Sequence, residues 1–352
     1  MMNTGSSRQY GIDLLRIFAC FSLLPFHYCT YGQMSTPISF QYINEVIKSL
    51  FGFHVPLFLM IGGALFLSKE SISIKRLYAH NIAHIVLVYV FWSAIYGVFD
   101  IILNIGNVKG LRDLLVWFVM DIRDSHYHLW YLPMIIGVYI LVPLLHAAFG
   151  NGRNPLILKY ISVVFIVFGI LIHTLLLMPV KANTYRTLLT KVDVGSFSGW
   201  LGFFIIGYYL FQNRNRISEK LMNILIVLSI VSFVMVIVIN LERVPAEGIN
   251  TYMSYFSMPC FVIECTTFLG FVRMKECPSE KKKGLIASIA DCMLGTYCIH
   301  DLVMSLVHMV FDFIPDSLFI VRIAIVVPIS FVLSVLIVFA LRKIKIMRKV
   351  AV

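Results

Sequence analysis

Charged side chains are scarce in this 352-residue chain. Asp, Glu, Lys and Arg make up 13% of it, whereas a soluble domain carries about 25%. Hydrophobic residues make up 59%, and the mean hydropathy is +0.87. The deficit of charge excludes a large soluble domain and predicts an integral membrane protein. A single membrane domain, residues 1–352, is expected to use nearly the whole chain.

Acidic residues are the scarcer of the two charged classes. The chain has 18 Asp and Glu against 29 Lys and Arg, which gives a net charge of +11. In a membrane protein, such an excess reports the orientation of the spans rather than nucleic-acid binding. No nucleic-acid partner is therefore predicted.

Cysteine pairs with metal-binding or redox spacing are also absent. Seven cysteines occur, and none of them forms a C-x-x-C pattern. Neither a zinc site nor a disulfide framework is indicated, and a role as small buried hydrophobic residues explains the cysteines.

Apolar stretches of about 20 residues, the length that crosses a bilayer, are abundant instead. We predict an all-α, polytopic fold with ten transmembrane helices, at 12–30, 50–67, 82–104, 129–149, 157–178, 197–212, 221–240, 252–272, 286–310 and 319–341. The segment 111–120 is too short to cross and is expected to form an interfacial helix.

Lysine and arginine are distributed unequally between alternate loops. The set of segments that includes both tails holds 19 basic residues, and the opposite set holds eight. Because cytoplasmic loops carry the excess of positive charge, both termini are predicted to be cytoplasmic.

Three ionisable residues interrupt the first apolar stretch, DLLRIFACFSLLPFH: Asp13, Arg16 and His27. Such groups are costly in hydrocarbon and are functional candidates by default. Arg16 and His27 are eleven residues apart, which is roughly 16 Å along a helix. Eleven steps of about 100° place both side chains on one face. Asp13 lies on the same face and can pair with Arg16.

This arrangement suits acyl transfer across a bilayer. Arginine keeps its charge and grips phosphates bidentately, and a neutral histidine accepts a proton from a hydroxyl. A cytoplasmic phosphorylated donor, such as acyl-CoA, would anchor at Arg16 and extend its reactive arm towards His27. Two other interpretations stay open: His27 as a hydrogen-bonding residue between helices, and Arg16 as a side chain that snorkels to the interface.

Four segments resemble the family-3 membrane acyltransferases. The family's first helix carries Asp-x-x-Arg and Arg-x10-His patterns, and Asp13, Arg16 and His27 fall on those positions. The resemblance covers nearly the whole chain, in the family's order. The segments are GIDLLRIFACFSLLPFH (11–27), GFHVPLFLMIGGALF (52–66), HLWYLPMIIGVYILVPLL (128–145) and ADCMLGTYCIH (290–300).

The resemblance implies a ten-helix membrane fold and acyl-CoA-dependent O-acylation, most often acetylation, of cell-surface carbohydrate. It makes His27 the catalytic residue and Arg16 a donor-binding residue. The chain departs from the family at the start of the third helix, where an Arg-x-x-Arg pair is usual. Arg76 occupies the first position and Ala79 the second. Lys75 and Arg76 remain candidate donor-binding residues.

Other polar residues in the spans suit either the cavity or helix packing. Glu264 lies inside the eighth predicted span, and His300 lies inside the ninth, next to Asp301. An intramembrane ionisable group of this kind is a functional candidate. His54, at the start of the second span, is expected to be a packing residue. Trp130 is a candidate contact of the acceptor, as are Glu264 and His300.

His126 and His128 flank the start of the fourth span. They would either meet the acceptor or sit in the interfacial aromatic belt with Trp130 and Tyr131. Their i, i+2 spacing would suit a metal site on a strand, but no third ligand is apparent from the sequence. No metal is expected, because the thioester of the donor is already activated.

Together these features predict an O-acyltransferase of the bacterial cytoplasmic membrane. It would move an acyl group, acetyl by preference, from acetyl-CoA to a hydroxyl of a lipid-linked or exported carbohydrate. His27 would act as general base, Arg16 would orient the donor, and Asp13 would hold Arg16. Its partners would be acyl-CoA, the carbohydrate and the lipid bilayer, and a homo-oligomer is compatible with the sequence.

Two rival classes are left open. One is a polysaccharide exporter or small-molecule transporter, which would move a glycan or a small amino acid. In such a protein the same intramembrane charges would form a proton relay or a substrate gate. The other is a non-catalytic scaffold of a polysaccharide-synthesis complex, which the intact Arg16 and His27 disfavour. Dependence on an acyl donor separates the enzyme from both.

Overall fold

The computed structural model describes residues 8–31, 38–103, 110, 126–177, 199–247, 255–277 and 279–352, and all regular structure within them is helical. The α-helices of this part of the chain are α1 (Tyr10–Tyr31), α2 (Ile38–Phe51), α3 (His54–Leu67), α4 (Ala83–Leu103), α5 (Tyr131–Phe149), α6 (Pro155–Val164), α7 (Ile172–Leu177), α8 (Trp200–Asn213), α9 (Glu219–Glu247), α10 (Met258–Val272), α11 (Glu280–Ala290), α12 (Met293–Val310), α13 (Phe319–Leu341) and α14 (Met347–Val350), besides the single turn Ile74–Arg76 before α4.

Eight helical stretches within these residues are long and apolar enough to cross a membrane. The predicted all-helical, polytopic membrane fold is confirmed. The stretches are Tyr10–Thr30, Gln41–Leu67, Ile74–Ile102, Tyr127–Gly152, Pro155–Leu176, Glu219–Glu242, Met293–Val310 and Phe319–Leu341.

The count differs from ten because two predicted spans are short in the described residues. The sixth corresponds to α8, with 14 residues, and the eighth to α10, with 15. An upright crossing takes about 20 residues. α8 begins after the extended Gly199, and α10 begins after the extended Ser257 with a proline in its first turn. The predicted interfacial helix at 111–120 lies outside the described residues.

Three span boundaries also differ from prediction. The second span begins at Gln41 rather than 50, because the amphipathic segment before Phe51 is helical and continues the apolar run. The third begins at Ile74 rather than 82, in a turn that Ser73 caps. The ninth begins at Met293 rather than 286, because a two-residue turn separates it from α11.

The chain divides into two compact units. The first unit comprises Met1–Glu70, Leu145–Ala290 and Asp316–Phe319. The second unit comprises Ser71–Leu144, Asp291–Pro315 and Ile320–Val352.

In the first unit, α1 packs against α2, α3, α10 and α11. The tightest helix pair is α3 with α8, which meet through glycines. A Cβ added to Gly63 would fall on the backbone carbonyl of Phe204, and one added to Gly207 would fall on the backbone of Met60. Small residues of this kind let membrane helices approach to backbone contact.

In the second unit, α4 packs against α12 and α14. The Trp92 indole donates a hydrogen bond to the Ala351 carbonyl at 3.0 Å, and the Tyr96 hydroxyl donates one to the Cys298 carbonyl at 2.8 Å. A π-helical turn, Leu77–Ile82, precedes α4. Such turns are rare in proteins overall, and those that occur are often found at functional sites.

Candidate active site

The first turns of α1 carry a carboxylate between two arginines. Asp13 Oδ2 lies 2.6 Å from Arg8 Nε, and Asp13 Oδ1 lies 3.2 Å from Arg8 Nη2 and 3.7 Å from Arg16 Nη1. Arg8 also donates to the Ala287 carbonyl, on α11, at 2.7 Å. The Asp13 side chain is buried, whereas that of Arg16 is 27% exposed. The predicted pairing of Asp13 with Arg16 is present, and Arg8, which the sequence analysis missed, is the closer partner.

His27 lies about three turns further along α1 and is buried. Its ring meets the ring of His54 edge-on, with centroids 5.9 Å apart. His54 Nδ1 lies 3.2 Å from the Phe51 carbonyl. Because a carbonyl only accepts, the Nδ1 of His54 carries the hydrogen in that bond and Nε2 is left as an acceptor. His54, which we expected to be a packing residue, therefore belongs to the immediate surroundings of His27.

A cavity of about 190 Å³ lies close to His54 in the first unit, separated from the histidine rings by aromatic side chains. Phe26 and Tyr255 line it, and their rings lie 5.1 and 6.1 Å from the His54 ring. Lys48 and Asn240 also line it and give it a polar part. The cavity therefore combines aromatic walls with hydrogen-bonding groups.

The polar part of the cavity rests on a buried ion pair in α2. Lys48 and Glu45 form a salt bridge, and both side chains are almost fully buried. Asn240 donates to the Ser49 hydroxyl at 2.8 Å, and that hydroxyl donates to the Glu45 carbonyl at 2.7 Å. The only sequence signal for this network is the i, i+3 spacing of Glu45 and Lys48.

Glu264 is fully buried on α10, in the first unit. Neither carboxylate oxygen has a hydrogen-bond partner among the described residues. Cys260, which lines the cavity, precedes Glu264 by four residues and therefore shares its helix face. The position of Glu264 is compatible with the predicted cavity role.

The predicted site residues fall into both units. Lys75 and Arg76 are exposed in the turn that opens the third span, and the Arg76 backbone N–H donates to the Ser73 hydroxyl at 3.3 Å. Trp130 is 40% exposed, whereas His300 is fully buried. The first unit holds Asp13, Arg16, His27 and Glu264, and the second holds Lys75, Arg76, Trp130 and His300. The roles assigned to these residues stay predictions.

The second unit also contains a polar cluster that the sequence analysis resolved only in part. His126 Nδ1 lies 3.0 Å from His128 Nδ1 and 3.5 Å from Asp301 Oδ2. The third potential ligand that was not apparent from the sequence is therefore Asp301. The rings of His128 and His300 are 4.8 Å apart, so His300 borders this cluster.

Comparison with known proteins adds two matches. The family model described as "Acyltransferase domain", of the acyltransferase 3 type, matches residues 9–339. A curated Enterococcus faecalis protein named "Amino-acid racemase" is 26% identical over 364 residues, which cover 97% of this chain and 48% of that protein. The chain thus spans about half the length of this relative. No solved structure matches the chain.

Proposed function

Because the chain belongs to the acyltransferase 3 family, and is thus a multi-pass membrane acyltransferase, we propose that it moves an acetyl group from cytoplasmic acetyl-CoA to a hydroxyl of cell-surface or lipid-linked carbohydrate. The bacterial cytoplasmic membrane is the proposed location. The arrangement of two side chains on α1 supports the proposal: Arg16 is partly exposed near one end of the helix, and His27 is buried about three turns away.

His27 is the proposed general base. It takes the proton from the acceptor hydroxyl as the hydroxyl oxygen attacks the carbonyl carbon of the thioester. The carbon–sulfur bond breaks, an ester forms, and the CoA thiolate takes up the proton. His54 contacts the His27 ring and would orient it. In a route through an acyl-histidine, His27 would instead attack the thioester as nucleophile, and a different base would take the proton from the acceptor hydroxyl as it displaces the histidine.

Arg16 is the proposed anchor for donor phosphates. A guanidinium binds phosphate oxygens bidentately and does not lose its charge. Asp13, held by Arg8, fixes one side of the Arg16 guanidinium through the 3.7 Å ion pair. The partial exposure of Arg16 leaves the group accessible to a ligand.

The cavity beside His54 is the proposed pocket for the acyl group or for part of the acceptor. Its volume of about 190 Å³ is below the roughly 300–1,000 Å³ of pockets for drug-sized ligands. It suits a short acyl chain or the edge of one sugar ring. Tyr255 would pack on an apolar face, and Lys48 and Asn240 would contact hydroxyl or carbonyl oxygens.

The test is mass spectrometry of surface glycans from cells that carry the wild type, His27→Ala or no protein. We expect O-acylation only with the wild type. The matched control is His173→Ala, because His173 also lies in a membrane-length helix of the first unit and packs on Phe256. Equal O-acylation in all cells would overturn the proposal.

Donor binding is tested separately on purified protein in detergent. We expect Arg16→Ala to weaken CoA binding by about tenfold or more, which corresponds to about 1.4 kcal/mol, with Arg16→Lys in between. Unchanged CoA affinity in a folded Arg16→Ala variant would move the donor anchor elsewhere, with Arg76 as the next candidate.

A second candidate function is transport of an amino acid. The amino-acid cargo is taken from the relative named "Amino-acid racemase", whose similarity extends over 97% of this chain, and transport itself rests on the intramembrane charges. Proteoliposomes loaded with labelled amino acids distinguish the two candidates. Exchange of label without any acyl-CoA would support transport, whereas label that moves from acetyl-CoA to a carbohydrate would support the transferase.

A further inference from the structure

The cluster in the second unit has the composition and spacing of a metal site. His126, His128 and Asp301 each offer one ligand atom, and these atoms lie within 4.8 Å of one another. Ligands placed about 2.0–2.1 Å from a tetrahedral zinc ion are about 3.3–3.4 Å apart. Two of the three separations, 3.0 Å between the imidazole nitrogens and 3.5 Å from His126 to Asp301, lie on either side of that value, and the third is at most 4.8 Å.

Hydrogen bonds to groups outside the ligand set orient two of the three ligands. His128 Nε2 lies 3.2 Å from the Cys298 carbonyl, which can only accept, so Nε2 carries the hydrogen and Nδ1 presents its lone pair to the cluster. The Tyr127 hydroxyl donates to Asp301 Oδ1 at 3.1 Å, which leaves Oδ2 facing His126. Metal sites in proteins use such bonds to fix the tautomer and the carboxylate.

Packing holds the third ligand in place. The Tyr96 ring stacks on the His126 ring with centroids 4.3 Å apart, and the Tyr96 hydroxyl is itself bonded to the Cys298 carbonyl. The side chain of Asp301 is buried, whereas that of His126 is 19% exposed. The cluster is therefore held by hydrogen bonds and packing on its inner side and is reachable from the side of His126, and binding of one ion would draw the more widely spaced ligand atoms together.

We propose that His126, His128 and Asp301 bind one divalent transition-metal ion of the zinc type. Two imidazole nitrogens and one carboxylate form a donor set that suits zinc rather than magnesium, which prefers oxygen ligands. The ion would join the entry of the fourth span to the middle of α12, both within the second unit. A fourth position remains for water or a ligand. The site is independent of the proposed acyl transfer.

The experiment measures zinc binding by the full chain in detergent, purified with a tag that contains no histidine. After treatment with EDTA, isothermal titration and elemental analysis should give one zinc ion per chain, with no competition from an excess of Mg²⁺. Asp301→Asn and His126→Gln should each lower zinc affinity by at least about 100-fold. Tyr127→Phe, which removes only the hydrogen bond to Asp301 Oδ1, should lower zinc affinity about tenfold.

The control is His308→Gln, because His308 lies on the same helix as Asp301 and is exposed beside Asp312 at 4.0 Å. It should leave zinc binding unchanged. If Asp301→Asn does not fold, the proposal is tested with His126→Gln, because the His126 side chain is partly exposed and its replacement disturbs the packing less. Absence of zinc binding by the wild type, or equal binding by the wild type and His126→Gln, would overturn the proposal and leave a hydrogen-bonded histidine pair.

Discussion

Replacement of Gly63 by alanine should destabilise the first unit severely, because α3 and α8 touch there through their backbones. The new Cβ would meet the Phe204 carbonyl far inside the 3.0 Å that real Cβ atoms essentially never go below. No side chain can rotate away to relieve this contact. The two helices must therefore separate, and the buried side chains along the whole pair lose contact.

The expected size follows from two opposing contributions. Overpacking by one methylene costs about 1–3 kcal/mol and occasionally more, and a backbone clash belongs at the upper end. Alanine in place of glycine returns about 0.5–1 kcal/mol of helix propensity. We therefore expect Gly63→Ala to lower the free energy of unfolding by at least about 2 kcal/mol. Gly207→Ala should behave alike, because its Cβ would meet the Met60 backbone.

Neighbouring glycines supply graded controls within the same unit. At Gly62 the new Cβ would lie 3.1 Å from the Phe204 ring, which can shift, so the loss should be smaller. At Gly270 nothing lies within 4 Å, so alanine should be neutral or slightly stabilising. Unfolding by SDS in mixed micelles ranks the variants. If Gly63→Ala and Gly270→Ala unfold at the same SDS fraction, the close packing of α3 on α8 is wrong.

Three further predictions concern charged side chains of the first unit. Lys48→Met should cost about 3–5 kcal/mol of stability, because it leaves the buried Glu45 carboxylate without its ammonium partner. The double variant Lys48→Met with Glu45→Gln should recover most of the loss in the same unfolding assay. If it recovers nothing, the buried ion pair is wrong. Arg8→Ala should cost only about 0–1 kcal/mol of stability, because Arg8 is 42% exposed, and should lower CoA affinity less than Asp13→Asn does, because Asp13 would keep its ion pair with Arg16. Asp13→Asn should lower both stability and CoA affinity, and a variant that affects neither would remove Asp13 from the donor site.

The first helix could be predicted from the sequence because its signals are local. The apolar run at 12–30 corresponds to the span Tyr10–Thr30, and the spacing of Asp13 and Arg16 placed them in reach of each other. Arg8 was missed because it precedes the apolar run, outside the predicted helix. Its bonds to Asp13 and to the Ala287 carbonyl depend on how α11 packs on α1.

The start of the second span was missed for a different reason. Hydropathy assigns a segment with Glu45 and Lys48 to a loop, because each charge alone is unfavourable in a membrane. Paired with each other in α2, the two charges are buried together. The ion pair lets this segment belong to the span, whereas hydropathy averaged along the sequence counts each charge as unfavourable and takes no account of their pairing.

The proposed metal site shows what the sequence alone does not reveal. The His126–His128 spacing was visible, but the carboxylate comes from a distant helix: Tyr127 and Asp301, which are hydrogen-bonded, are 174 residues apart. Such a contact depends on the packing of α12 against the entry of the fourth span. Only the tertiary structure brings these groups together.

The π-helical turn at Leu77–Ile82 fixes where the exposed cations point. It accommodates one residue more than regular winding, and downstream of it His84 is anchored to the Lys349 carbonyl at 3.1 Å. Deletion of one residue from the turn, for example Ala79, would restore an α-helix and swing Lys75 and Arg76 by about 100° around the axis. A one-position gap in a homologue would thus mean a rotated charge pattern rather than a shortened loop.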